Sequence, residues 1–220
     1  MDQSLSRRSL LAVACTLPLL ALPSCASLPG GFGMVDALRR VLNLSSQRAF
    51  ARLLQEDGFL QDELARVPLP GGGALAGALL RTPLVQNQLL RLMNRAASNA
   101  AETAAPMVYD AIRTMSFSDA VALVRGGPTA ATDFLQQTMG DAIVTAMFPG
   151  VGSALRSFDD GILNRVVQAA TGIDFAGLQQ HVSRSAANGI YRAIGREEAA
   201  IRANPRATGD PLIIGVFSLL

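Results

Sequence analysis

The sequence predicts an all-α fold, an irregular multi-helix bundle around one central helix, and three observations carry this prediction. Half of the 220 residues are hydrophobic but few are aromatic, so the core must consist mainly of Leu, Ala, Val, Ile and Met, a mixture that favours helices over strands. No alternating strand pattern and no internal repeat is visible. Finally, apolar and small residues recur at helical spacing throughout the stretch Pro83–Met115.

The stretch Pro83–Met115 is the predicted central helix, bent or restarted near Pro106. Its apolar and small face consists of Leu89, Met93, Ala96, Ala100, Met107, Ala111 and Met115. A second, polar face carries Arg91, Arg95, Ser98 and Glu102. Because alanines allow neighbouring helices to approach closely, we expect this helix to be a packing axis rather than a surface helix.

Residues 1–24 have the pattern of a signal peptide for export to the periplasm. Arg7 and Arg8 precede the apolar run Leu10–Leu22, which is too short to be a comfortable membrane span. The segment Ser6–Leu11 also resembles a twin-arginine signal, which would imply export in a folded state. An ordinary signal in which two arginines happen to be adjacent is an equally good interpretation.

The end of the leader, Leu22–Cys25, resembles a bacterial lipobox, in which the cysteine is lipidated and becomes the N-terminus. We therefore predict that Cys25 anchors the protein to a membrane. Cleavage after Ala26 by the other signal peptidase is the alternative. Lipidation is favoured because Cys25 would otherwise be the only thiol of an exported protein, since Cys15 lies inside the leader.

The rest of the chain is predicted to be a flexible tether, residues 25–33, followed by a single helical domain, residues 34–220. About 195 residues are enough for one domain with a substantial core. All 19 basic residues are Arg, which a GC-rich genome explains, and they nearly balance the acidic residues once the leader is removed. Such a charge balance gives no reason to expect nucleic-acid binding.

Before the central helix, turn and cap residues divide the chain into short elements. The predicted helices are Met34–Leu42, Gln47–Glu56 and Ala74–Leu80. Ser45 and Ser46 supply hydroxyl caps for the second of these, and Asp57–Gly58 ends it, with the glycine in the left-handed conformation. The prolines make Val67–Pro70 extended, and Gly71–Gly73 forms a hinge or close turn.

After the central helix, the predicted helices are Asp119–Val124, Thr129–Met147, Ile162–Ala170 and a long helix from Phe175 that continues as a charged turn to Ala203. Ser118 caps the first, Pro149–Gly150 breaks the second, and Asp174 caps the last. The apolar segment Pro211–Leu220 is far too short to span a bilayer. We expect it to dock on the body or to cover a groove.

Several segments together resemble a bacterial family catalogued as domain of unknown function 4197. They are Asp57–Leu60, Val67–Pro70, Met93–Ala97, Phe117–Ala120, Gly127–Thr132 and Glu197–Pro205. The resemblance spans roughly Met34 to Phe217 and implies an exported, helical, single-domain protein without an established activity. The closing segment departs from the family pattern, because Ile213, Ile214 and Gly215 replace its usual basic residues.

The candidate site residues are polar side chains on and after the central helix: Asn94, Arg95, Glu102, Asp119, Arg125 and Asp133. They form either a buried structural network, which is favoured, or the floor of a ligand pocket. Thr129 is predicted to cap its helix, although the loop Gly126–Thr129 could also present amide groups to an anion. We expect Glu197 and Glu198 to form surface ion pairs with neighbouring arginines.

Metal and nucleophilic chemistry are poorly supported. The chain has a single histidine, His181, which we expect to be exposed or at a rim, and one cysteine beyond the leader. The sequence therefore predicts neither a metal site nor a cofactor, and no nucleophile-elbow sequence accompanies the histidine.

The favoured function is that of a noncatalytic envelope lipoprotein that binds an apolar ligand or a protein partner. This hypothesis predicts an apolar groove of a few hundred Å³ or an exposed apolar patch. An enzyme that uses Arg and carboxylates near the central helix is the first alternative, and it requires those side chains to converge in an open cleft. An oligomeric envelope assembly or spacer protein is the second alternative.

Overall fold

A computed structural model describes residues 32–70, 83–157 and 174–218, and within these ranges the regular structure is entirely helical. The predicted all-α class is confirmed for this part of the chain. The predicted signal peptide, Cys25 and the helices Ala74–Leu80 and Ile162–Ala170 lie outside the described residues. No helix within the described ranges combines the length and the apolar character needed to cross a membrane.

The helices are α1 (Phe32–Leu53), α2 (Gly58–Gln61), α3 (Pro83–Thr114), α4 (Ala120–Arg125), α5 (Ala130–Met139), α6 (Ala142–Ser157), α7 (Phe175–Ala203) and α8 (Pro211–Phe217), with a 3-10 turn at Pro205–Thr208 between the last two. The two longest, α3 and α7, pack against each other, and both also contact α1, α5 and α6. One continuous hydrophobic core results.

Helix α3 is a packing axis, as predicted, and α7 shares this role. The buried face of α3 is rich in small residues, namely Ala96, Ala97, Ala100, Ala101, Ala104 and Ala105. Helix α6 approaches closely there, because a Cβ atom added to Gly150 would lie only 3.4 Å from Ala100. The polar residues Arg91 and Glu102 are exposed.

Pro106 does not interrupt α3, which continues to Thr114. A proline inside a helix removes one backbone hydrogen bond. Pro106 is exposed, so water can reach the carbonyl group that lacks its donor. The predicted restart at this residue is therefore wrong.

The predicted division of the first helical segment is also wrong, because α1 is continuous. Ser45 and Ser46 do not cap a helix but are fully buried in its middle. At its end, Asp57 rather than Gly58 takes the left-handed conformation, with φ of 56°. Gly58 is needed for space instead, since a Cβ atom there would lie 2.6 Å from the carbonyl oxygen of Leu53.

Three predicted boundaries after α3 need correction. Helix α4 is capped by Asp119, which accepts a 2.8 Å hydrogen bond from the amide of Ala122, and not by Ser118. The predicted helix Thr129–Met147 is divided at Gly140, whose φ of 51° favours glycine. Pro149 is exposed inside α6, which runs on to Ser157, so the predicted break there does not occur.

The C-terminal elements follow the prediction more closely. Asp174 caps α7 by accepting a 2.8 Å hydrogen bond from the amide of Gly177. The short helix α8 docks on α1, with Ile213 and Phe217 buried. A 2.8 Å ion pair between Asp210 and Arg40 fixes the beginning of α8 to α1.

Candidate functional site

Asn94, the first of the predicted site residues, is a buried structural residue. Its Oδ1 atom accepts a 2.9 Å hydrogen bond from the amide of Val67. Its Nδ2 atom donates to the carbonyl oxygens of Val67, at 3.1 Å, and Leu90, at 2.8 Å. These bonds attach the extended segment Val67–Pro70 to α3, and they use the amide that a ligand would otherwise contact.

The other five predicted site residues are distributed over α3, α4 and α5. Arg95 and Glu102 are exposed on α3. Asp119 caps α4, and Asp133 accepts a 3.0 Å hydrogen bond from the hydroxyl group of Thr129. The side chain of Thr129 therefore does not cap α5, and the predicted cap is wrong. Arg125 is exposed at the end of α4 and lines a cavity described below.

The most extensive polar network surrounds Glu198, which is fully buried on α7. Its carboxylate accepts hydrogen bonds from the amides of Ala131 (3.0 Å) and Thr132 (2.7 Å), and from the Thr132 hydroxyl group (2.6 Å). The fourth donor is Nε of Arg202, at 2.7 Å. The anion that the loop before α5 could accept is thus supplied by the protein itself.

Glu197 is also buried, so the prediction that both glutamates lie on the surface is wrong. Arg52 reaches Glu197 at 3.1 Å, and Arg196 makes a two-pronged ion pair with Asp62, at 2.7 and 2.9 Å. Burial alone would raise the pKa of Asp62, but the hydrogen bond and charge of Arg196 outweigh it and lower this pKa. For the ion pair between Glu198 and Arg202, the i,i+4 spacing of the two residues was the signal in the sequence.

These contacts join segments that carry the family resemblance. Asn94, in Met93–Ala97, holds Val67–Pro70, and Glu198, in Glu197–Pro205, holds Gly127–Thr132. Each pair is distant in the sequence and meets through buried hydrogen bonds. Four of the six segments of the resemblance are thus joined in two pairs by buried hydrogen bonds.

A groove of about 640 Å³ lies between the second half of α3 and the junction of α5 and α6. We call it the methionine groove, because Met107, Met115 and Met139 lie in it. Its full lining is Pro106, Met107, Asp110, Ala111, Thr114, Met115, Thr138, Met139 and Ala142. Met107 is 37% exposed although it lies on the predicted packing face, so its side chain is accessible in the groove.

A second cavity, of about 560 Å³, lies where α4 and the following loop meet α7 and α8. We call it the arginine cavity. It is lined by Val124, Arg125, Gly126, Pro128, Ala199, Arg202, Ala203 and Phe217. The Arg202 guanidinium group lies 4.8 Å from the centre of the Phe217 ring. This cavity combines cationic and apolar walls.

His181 is partly exposed, and its Nε2 atom lies 2.8 Å from the carbonyl oxygen of Pro68. Within residues 32–70, 83–157 and 174–218, no group of three or more His, Cys, Asp or Glu side chains is arranged to hold a metal ion.

In the part of the chain that the structure describes, the protein is all-helical and has two openings of small-molecule size. The family model described as "Protein of unknown function (DUF4197)" matches residues 31–218. The chain therefore belongs to this family, as its sequence segments indicated. No curated protein and no solved structure matches the chain significantly.

Proposed function

We propose that this protein is an exported, lipid-anchored envelope protein that binds a small apolar molecule in the methionine groove, without catalysis. The groove is the observation that carries this proposal. Its volume of about 640 Å³ falls within the range of about 300–1,000 Å³ that is usual for small-molecule sites. The thioether side chains are flexible and polarizable, so that they can adapt to the shape of an apolar ligand.

The polar groups at the groove also favour an apolar ligand, because they are engaged within the protein. The carboxylate of Asp110 pairs with Arg113. The hydroxyl group of Thr114 donates to the carbonyl oxygen of Asp110, and that of Thr138 donates to the carbonyl oxygen of Phe134, both at 2.8 Å. A polar ligand would have to compete with these bonds, whereas a hydrocarbon would leave them intact.

A small molecule fits the groove better than a protein partner does. Stable protein interfaces involve about 20–30 residues on each side, and nine residues line this groove. The enzyme alternative lacks a comparable observation among the described residues, since Asn94 uses its amide on backbone groups and Asp119 caps a helix.

Binding of the neutral fluorescent probe N-phenyl-1-naphthylamine to the purified protein tests this proposal. We expect saturable binding that is weakened several-fold by Met107→Gln and retained in Met107→Leu. Val121→Gln is the matched control, because Val121 is exposed to a similar extent, 43%, but does not line the groove. Absence of binding, or equal weakening by the two glutamine variants, would refute the groove as a ligand site.

Export and lipid anchoring are proposed on the sequence of the leader. Arg7 and Arg8, the apolar run Leu10–Leu22 and the lipobox-like Leu22–Cys25 support them. Mass spectrometry of the protein purified from its native membrane should find a lipidated Cys25 at the N-terminus. An unlipidated N-terminus at Ser27 would overturn the anchor, although it would leave the groove proposal untouched.

A further inference from the structure

We propose that the arginine cavity binds a small soluble organic anion, a carboxylate or similar group attached to an apolar tail. The cavity brings Arg125 and Arg202 together with an apolar wall, and no acidic side chain is among its lining residues. It lies between α4, α7 and α8, whereas the methionine groove lies between α3, α5 and α6. The two sites are therefore independent.

Arg202 is held in position before any ligand arrives. Its side chain is only 10% exposed. Its Nε atom donates to Glu198, and its two terminal nitrogens donate to the carbonyl oxygens of Val124, at 2.8 Å, and Leu123, at 3.0 Å. A guanidinium group has five N–H donors, so these three bonds leave two donors of a residue that lines the cavity.

Arg125 supplies a positive charge that is not balanced nearby. Glu198 neutralises Arg202, but Arg125 forms no ion pair with any described residue. Its exposed side chain lies at the same cavity, so a ligand carboxylate would meet one fixed and one adjustable guanidinium group. Charge-assisted hydrogen bonds of this kind are stronger than neutral ones.

The rest of the lining calls for an apolar tail. Pro128, Ala199 and Ala203 contribute accessible aliphatic surface, and Val124 and Phe217 also line the cavity but are almost buried. A bare inorganic anion would leave this surface in water, and a neutral hydrocarbon would leave the charge of Arg125 uncompensated. An anion with a short apolar tail satisfies both, and a volume of about 560 Å³ is sufficient for it.

Isothermal titration of the purified protein with octanoate, octan-1-ol and inorganic phosphate tests this inference. We expect octanoate to bind at least tenfold more tightly than either of the other two. Arg125→Gln should weaken octanoate binding about tenfold, which corresponds to one charge-assisted hydrogen bond. Arg184→Gln is the control, because Arg184 is also exposed but does not line the cavity, and it should leave the affinity unchanged.

Four results would overturn the inference. The first is an absence of saturable octanoate binding, the second is equal effects of the two arginine variants, and the third is phosphate binding as tight as that of octanoate. The fourth is octanoate binding that is lost in Met107→Gln, because this loss would assign the binding to the methionine groove. A separate measurement with phosphatidylglycerol vesicles could give a fifth such result. Sedimentation with vesicles that depends on Arg125 and resists octanoate would assign the site to a lipid headgroup and exclude a soluble ligand.

Discussion

Replacing Glu198 with Ala should strongly destabilise the protein, because this side chain is the buried link between α7 and the beginning of α5. It is fully buried and accepts four hydrogen bonds, from the amides of Ala131 and Thr132, the Thr132 hydroxyl group and Arg202. The variant would leave the charge of Arg202 buried without its anion, and two amides without acceptors.

Removing one partner of a buried ion pair costs about 3–5 kcal/mol. For a domain of this size, 1 kcal/mol corresponds to a shift in Tm of about 2–4 °C, so we expect Tm to fall by about 6–20 °C. Urea unfolding followed by far-ultraviolet circular dichroism measures the free energy directly. Thr132→Val removes the hydroxyl donor alone, and should cost about 1.5–3 kcal/mol.

Two further variants make the measurement decisive. Glu102→Ala removes an exposed glutamate and should change the free energy of unfolding by less than about 0.5 kcal/mol. The double variant Glu198→Ala with Arg202→Met removes the unpaired cation as well and should recover part of the loss. A Glu198→Ala protein within about 1 kcal/mol of the wild type would refute the assigned role of this network.

Three other positions, Tyr191, Asp62 and Gly189, can be tested by urea unfolding. Burial raises the pKa of Tyr191 to about 12. The unfolded chain ionises first, so the stability of the wild type should fall as the pH rises from about 10 towards 12, and Tyr191→Phe should reduce this loss. The variant should not be destabilised at neutral pH, because the hydroxyl group has no partner among the described residues. The lowered pKa of Asp62 contributes stability above about pH 4, and this contribution disappears as the pH falls through the folded-state pKa. Asp62→Asn should therefore be less stable than the wild type at neutral pH, but its stability should fall less than that of the wild type when the solution is acidified. Gly189→Ala would place a Cβ atom 2.6 Å from the carbonyl oxygen of Ala65 and should cost about 1–3 kcal/mol, whereas Gly127→Ala meets nothing within 4 Å and should cost less. An unchanged alkaline profile in Tyr191→Phe, an unchanged acid profile in Asp62→Asn, or equal effects of the two glycine variants would contradict the respective argument.

The sequence determined the features that depend on neighbouring residues in the chain. Helical spacing of apolar residues identified α3 and placed Arg91 and Glu102 on its exposed side. Asp174 identified the beginning of α7, because a cap bonds to amides two or three residues further on. The ordered short segments identified the family.

The tertiary structure alone decided which polar residues are buried. Ser45 and Ser46 resemble caps in the sequence, but the folded protein buries them inside one continuous helix. Glu198 resembles a surface residue until Thr132, 66 positions earlier in the chain, supplies its donors. A buried charge is tolerated only where the fold brings partners to it, and those partners are distant in the sequence. The same reason explains why the sequence could indicate Arg125 but could not place it beside Arg202 in one cavity.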